Sequence, residues 1–110
     1  MISYILRVDA ALKAIAEPRR RAILRLVWSQ ELPATELARE FGDVSRPAIS
    51  QHLAVLKGAG LVAERREGRN VHYRSNPAAL GPLADWVEHY RVFWPAKLEK
   101  LKRVLKEMDP

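Results

Sequence analysis

The chain has 110 residues, 48% of them hydrophobic, which suits one compact domain with a modest core and leaves no room for a second. Nineteen Lys/Arg against thirteen Asp/Glu give a formal charge of +6, which makes a polyanion a plausible partner on electrostatic grounds, without a choice between DNA, RNA and an anionic membrane. Cysteine is absent, which excludes disulfides, thiolate metal sites and cysteine nucleophiles together, and no run approaches the roughly 18 apolar residues of a membrane span.

Over residues 1–15 the apolar residues are interrupted by Arg7, Asp9 and Lys13, so the stretch lacks the unbroken run of a signal peptide, and a cytoplasmic location is expected. Its Ile5, Val8, Leu12 and Ile15 recur at spacings of 3, 4 and 3, one face of a helix. Glu17-Pro18 marks a boundary, because proline suits the first turn of a helix and disfavours helix just before it. A second helix from 18 to about 28 carries Ile23, Leu24, Leu26, Val27 and Trp28, too wide an apolar set for one face, and is expected to be largely buried. Leu32-Pro33 is expected to open a third helix, with Ala34, Leu37, Ala38 and Phe41 at i, i+3, i+4 and i+7. Gly42 ends it, Ser45 can cap the next helix, and Pro47 is tolerated in that helix's first turn. Two short helices around this turn predict a helix-turn-helix at about 33–57.

Gly58 and Gly60 close the second of these helices, and 61–66 with 70–75 read as two strands around Glu67-Gly68-Arg69, a hairpin at about 61–75. Asn76-Pro77 and Gly81-Pro82 are both helix starts. Leu83, Trp86, Val87, Tyr90, Phe93 and Trp94 then form an aromatic stripe, and Leu98, Leu101, Leu105 and Met108 continue it as a short coiled-coil seam, giving C-terminal helices at about 82–108. Pro95 cannot donate to the carbonyl of Arg91 and should kink or break this last helix. The expected fold is mainly α with a small β-hairpin, in a single domain over 1–110.

On a helical wheel for 45–57, Ile49, Leu53 and Leu56 gather on one side, and Pro47, Ser50, Gln51 and Ala54 on the other. That second face is polar, small and nearly uncharged. Base-edge readers need short hydrogen-bonding side chains with little bulk to enter a major groove about 12 Å wide. Ser50 and Gln51 can contact base edges, and Arg46 can reach guanine or phosphate. The plainer alternative makes Ser45 only a cap and Ser50-Gln51 only a solvated surface. The hairpin that follows supplies Arg65, Arg66, Arg69 and Arg74, which can straddle phosphates beside a reading helix or simply protect a sheet edge with charge. His52, His72 and His89 fall on three different elements, so a shared metal set would need unexpected proximity, and His52 at the edge of the apolar face suits a structural imidazole. No nucleophile, base and orienter form a recognisable catalytic motif.

The run Ser45-Arg46-Pro47-Ala48-Ile49-Ser50-Gln51-His52-Leu53-Ala54-Val55-Leu56, followed by Ala59-Gly60-Leu61-Val62, resembles the ArsR/SmtB repressor signature. The likeness continues upstream in Ala16-Glu17-Pro18-Arg19-Arg20-Arg21-Ala22-Ile23-Leu24 and downstream in Arg66-Glu67-Gly68-Arg69 with Val71-His72-Tyr73. It implies a winged helix-turn-helix repressor acting on double-stranded operator DNA as a homodimer, its outer helices pairing the subunits and its two reading helices facing a pseudo-palindrome. Ser45, Arg46, Pro47, Ser50, Gln51, His52, Arg66 and Arg69 are then the expected DNA contacts. Ile5, Leu12, Trp86, Tyr90, Trp94, Leu98, Leu101 and Leu105 are the expected dimer contacts.

Many relatives sense metal through a Glu-Leu-Cys-Val-Cys-Asp-Leu pattern, where this chain reads Glu31-Leu32-Pro33-Ala34-Thr35-Glu36-Leu37. The family's second metal site uses Asp, His and a later histidine motif, yet Val87 stands two residues after Asp85 and no histidine follows His89. The C-terminal aromatic pattern resembles a branch without these ligand sets, although Pro95 departs from it. No metal or cofactor is therefore expected, and the effector is left open. The alternatives are a winged-helix module that binds another protein, and a metal-responsive repressor with a non-cysteine site.

Overall fold

The computed structural model describes residues 2–93 and 95–107, with no side-chain placement for Ile2, Tyr4, 90–98 or Leu101. Helix α1 (Ile2–Ile15) leads into α2 (Pro18–Leu26), and Glu17 caps α2 by accepting from the Arg20 backbone N–H at 2.9 Å. The face of α1 that enters the core is Val8, Ala11 and Ala14, one step round the helix from the expected stripe. Leu12 and Ile15 are half-buried, while Ile5 and Leu6 stand 56% and 62% exposed. Alanine is what lets α1 approach this closely, since a larger residue at Ala14 would have no space to occupy.

Ile23, Leu24 and Val27 of the second segment are buried as expected, but Trp28 is 52% exposed. The helix stops at Leu26, so Trp28 lies past its end and leaves the helical wheel on which it was placed. A second difference follows at once. Leu32–Pro33 is a short strand, β1, rather than the opening of a helix, and α3 (Ala34–Glu40) begins after it. Two residues carry no period from which a strand could be read, and an edge strand is where proline's missing donor is tolerated.

After α4 (Arg46–Gly58) the chain turns at Gly60, whose φ of 77° is a left-handed conformation that suits glycine. It then forms β2 (Val62–Glu67) and β3 (Asn70–Ser75), antiparallel with Glu67 opposite Asn70. The loop is thus two residues, Gly68-Arg69, and the φ of 62° at Gly68 fits the first central position of a type II′ turn. Strand β1 adds on the other side of β3, with Leu32 opposite Tyr73, to give the order β1-β3-β2. A turn of 3-10 helix at Pro77–Ala79 leads to α5 (Leu80–Phe93), and α6 (Pro95–Glu107) follows.

The core sits where α1, α2, α3, α4 and the sheet meet, and Ile23, Leu37, Leu56 and Leu61 are its most enclosed large side chains. α5 lies against α1. Leu80 and Leu105 line one cleft, though one straight helix would set them about 38 Å apart. α6 therefore returns toward the start of α5, which agrees with the break expected at Pro95. Trp94 and Met108 lie outside the described residues, as do the side chains of Tyr90, Leu98 and Leu101. Among the described residues no helix is long and apolar enough to cross a membrane.

Candidate nucleic-acid interface

α3, the 41–45 turn and α4 form the helix-turn-helix. The turn is closed by the Val44 N–H donating to the Phe41 carbonyl at 3.0 Å. Ser45 then caps α4, its hydroxyl accepting from the Ala48 N–H at 3.3 Å, and Pro47 occupies the first turn, where its missing donor costs nothing. Burial of Ile49, Leu53 and Leu56 fixes the rotation of α4 about its axis. Ser45, Arg46, Pro47, Ser50, Gln51 and Ala54 are in consequence exposed.

The turn is held from behind by α2. Arg19 donates to both carboxylate oxygens of Asp43, at 2.6 and 3.2 Å, a bidentate pair that holds the Asp43 carboxyl below its usual range. Arg20 and Arg21 have a different duty. Arg20 donates to the carbonyls of Ala14 at 2.6 Å and Lys13 at 3.1 Å, and Arg21 to that of Ile15 at 2.5 Å, so both close the C-terminus of α1. His52 is half-buried, its Nδ1 3.8 Å from the Glu17 carboxylate that caps α2. Of the expected contacts it is the one turned toward the protein.

The hairpin is tied to α4 and to β1. Lys57, in the last turn of α4, donates to Glu64 of β2 at 2.6 Å, and the Tyr73 hydroxyl donates to the same carboxylate, whose pKa is held down chiefly by Lys57. On the other face of the sheet Arg65 joins Glu31 at 2.5 Å and Glu67 at 3.0 Å, with His72 between these carboxylates at 3.9 and 3.8 Å. Arg65 is thus neutralised within the protomer, and Glu31 is pushed toward the ionised form by it. Arg46, Arg66, Arg69 and Arg74 are exposed and make no salt bridge among the described residues.

Arg65 is set apart from the hairpin arginines it stands among in sequence, and Asp43, Lys57 and Glu64 take roles that no sequence motif announces. The strand alternation that sets Arg65 on the opposite face from Arg66 was available as a signal. Its partner Glu31 was not, because β1 went unread.

Residues 15–65 match a helix-turn-helix domain family. The transcriptional repressor SdpR of Bacillus subtilis is 35% identical over 78 residues, which are 71% of this chain and 86% of that protein. The HTH-type transcriptional regulator Rv2034 of Mycobacterium tuberculosis is 41% identical over 90 residues, 82% of this chain and 80% of its own length. An ArsR-like transcriptional regulator from Rhodococcus sp. RHA1 superposes with a TM-score of 0.72 at 29% identity, covering 91% of this chain and 93% of that one. The chain belongs to the ArsR/SmtB family. It is accordingly a DNA-binding transcriptional regulator of winged helix-turn-helix fold.

Pro33, inside β1, and Thr35, exposed on α3, are the residues expected at the family's cysteine positions. His52 faces Glu17, His72 lies in the central strand, and His89 is on α5. Among the described residues no three His, Cys, Asp or Glu are grouped to hold a metal ion.

Proposed function

We propose that the chain is a repressor that binds operator DNA as a homodimer, with α4 in the major groove and the hairpin tip on neighbouring phosphates. The observation that carries this reading is the solvent face of α4. Pro47, Ser50, Gln51 and Ala54 form an exposed, uncharged strip, with Arg46 at the start of the helix and a hairpin bearing Arg66 and Arg69 tethered to its end. Ser50 and Gln51 are assigned to base edges, Arg46, Arg66 and Arg69 to phosphates, and Ser45 and Pro47 to setting the depth of the helix. His52, turned to Glu17, is assigned to orienting α4.

The pairing surface is assigned to α1 and the C-terminal helices. Ile5 and Leu6 offer apolar area that the protomer does not cover, on a helix that already packs against α5. Half-buried Leu12 and Trp86 lie on the same two helices, and Tyr90, Trp94, Leu98 and Leu101 extend the assignment by sequence. Leu105, 43% exposed, faces a cleft beside α2 and is left with a smaller share.

Two symmetric reading helices would meet half-sites about 34–36 Å apart. Selection of bound fragments from genomic DNA by the purified protein, followed by footprinting, tests the proposal. A near-palindromic site is expected, and retention no better than that of random fragments refutes the reading. Sedimentation equilibrium addresses the dimer, which Ile5→Asp should weaken together with operator affinity, since an unpaired charge would be placed in the interface.

A further inference from the structure

A cleft of about 990 Å³ opens between α2, the start of α5 and the end of α6. It stands at the upper end of the roughly 300–1,000 Å³ usual for small-molecule sites. Leu24, Trp28, Leu80 and Leu105 give it an apolar wall, and Arg21 and Lys106 give it positive charge. None of the described residues that line it is an Asp or Glu. Arg21 bonds the neutral carbonyl of Ile15, which satisfies one donor and leaves the charge of the guanidinium uncompensated by that partner. Trp28, whose indole could have joined the adjacent core, is half exposed at this wall.

We propose that the cleft binds an amphipathic monoanion, a hydrocarbon body ending in a carboxylate. A neutral hydrocarbon would leave Arg21 and Lys106 without a counter-charge, and a small hydrophilic anion would leave Trp28, Leu80 and Leu105 wet. Only a ligand with both parts meets both walls.

The cleft is also joined to the DNA-reading parts through α2. At one end of α2 Arg19 holds Asp43 of the helix-turn-helix turn. At the other, the Val27 carbonyl accepts from the Ser75 N–H at 3.0 Å and the Trp28 carbonyl accepts from the Ser75 hydroxyl at 3.3 Å, which anchors the end of β3. A ligand that displaces Trp28 therefore acts on the hairpin, so occupancy should change operator affinity. This second half of the proposal rests on the DNA-binding function proposed above, whereas the binding itself does not.

Dodecanoate, kept below its aggregation concentration, is the probe, with dodecanol as the neutral match and acetate as the charge match. Calorimetry and tryptophan fluorescence should show one dodecanoate per protomer and an emission change that Trp28→Phe abolishes. Lys106→Gln, on an exposed helix where folding is not at stake, should weaken dodecanoate about threefold or more, and Arg21→Gln about tenfold, with dodecanol unchanged. Equal affinity for dodecanoate and dodecanol, or no saturable binding of either, overturns the site. So does a probe affinity that falls as protein concentration rises through dimerisation, which would assign the cleft to a second copy of the chain. For the coupling, the apparent operator affinity is measured with and without dodecanoate. An unchanged value in a protein that binds both removes the coupling, while dodecanoate binding without any operator binding removes the DNA reading and leaves the cleft in place.

Discussion

Two arginine-rich stretches of this chain meet opposite fates. Arg19, Arg20 and Arg21 open α2 as a continuous basic run, yet one is paired with Asp43 and two close the end of α1. Arg46, Arg66, Arg69 and Arg74 are scattered over a helix and a hairpin, and they stand exposed with no salt bridge among the described residues. Density of charge in sequence is therefore a poor guide to a polyanion-binding surface. What decides is where the fold turns each cation and what it meets there: Arg19 is taken by a carboxylate, Arg20 and Arg21 lie against the end of α1, and Arg46, Arg66, Arg69 and Arg74 face solvent.

The comparison breaks first on stability. Arg20→Ala removes donors from the carbonyls of Ala14 and Lys13 at the α1–α2 junction and should cost about 1–3 kcal/mol in denaturant unfolding. Arg69→Ala, at an exposed turn, should stay within about 0.5 kcal/mol of the parent. Similar losses in the two variants would mean that Arg69 has a structural duty the fold does not display, and the contrast would be lost.

The second test concerns the uncharged strip that lies between the free cations. Gln51→Ala should weaken operator binding by about 1–3 kcal/mol and binding to random duplex hardly at all, because Gln51 is exposed and has no packing to lose. A matching loss on both DNAs would move Gln51 from base reading to positioning.

How much of this was legible before the fold was known follows from where each signal resides. α4 declared itself through Ser45, Pro47 and the spacing of Ile49, Leu53 and Leu56, all within one helix, and the hairpin through Gly68 and alternation. β1 stayed hidden since its two residues gain their identity from Tyr73 and His72, some forty positions away. Trp28 was misplaced because α2 ends without a Gly or Pro to mark the stop. The solvent strip of α4 was thus readable from period alone. The duties of Arg19 and Arg65 were not, as their partners Asp43 and Glu31 are brought close only by tertiary folding.

A smaller effect separates the two arginine groups in salt. Each phosphate contact releases counterions and steepens the dependence of affinity on salt, so Arg69→Ala should flatten that slope by about one unit on any duplex. Arg20→Ala, compared at a temperature where it is fully folded, should leave the slope alone, because its guanidinium faces the end of α1. Titrations at four or five salt concentrations suffice. A flattened slope for Arg20 would place it on the DNA after all.

The smallest expected effect is a pH dependence at the back of the helix-turn-helix. The hydrogen bond and charge of Arg19 lower the Asp43 pKa below its ordinary 3.8. A carboxyl depressed in the folded state contributes stability that is fully present above the unfolded value and is lost as pH falls through the folded one, so the contribution stands from about pH 5 upward and fades below 3.8. Both side chains are substantially exposed, so solvent screens the pair and the gain is small. The test is a comparison of the parent with Asp43→Asn, which keeps the shape but cannot titrate. The two unfolding midpoints should differ at neutral pH and converge as the solution is acidified below the ordinary value. A difference that persists unchanged into acid would show that Asp43 acts through backbone geometry in the 41–45 turn and that Arg19 is, like Arg66 and Arg69, effectively unpaired.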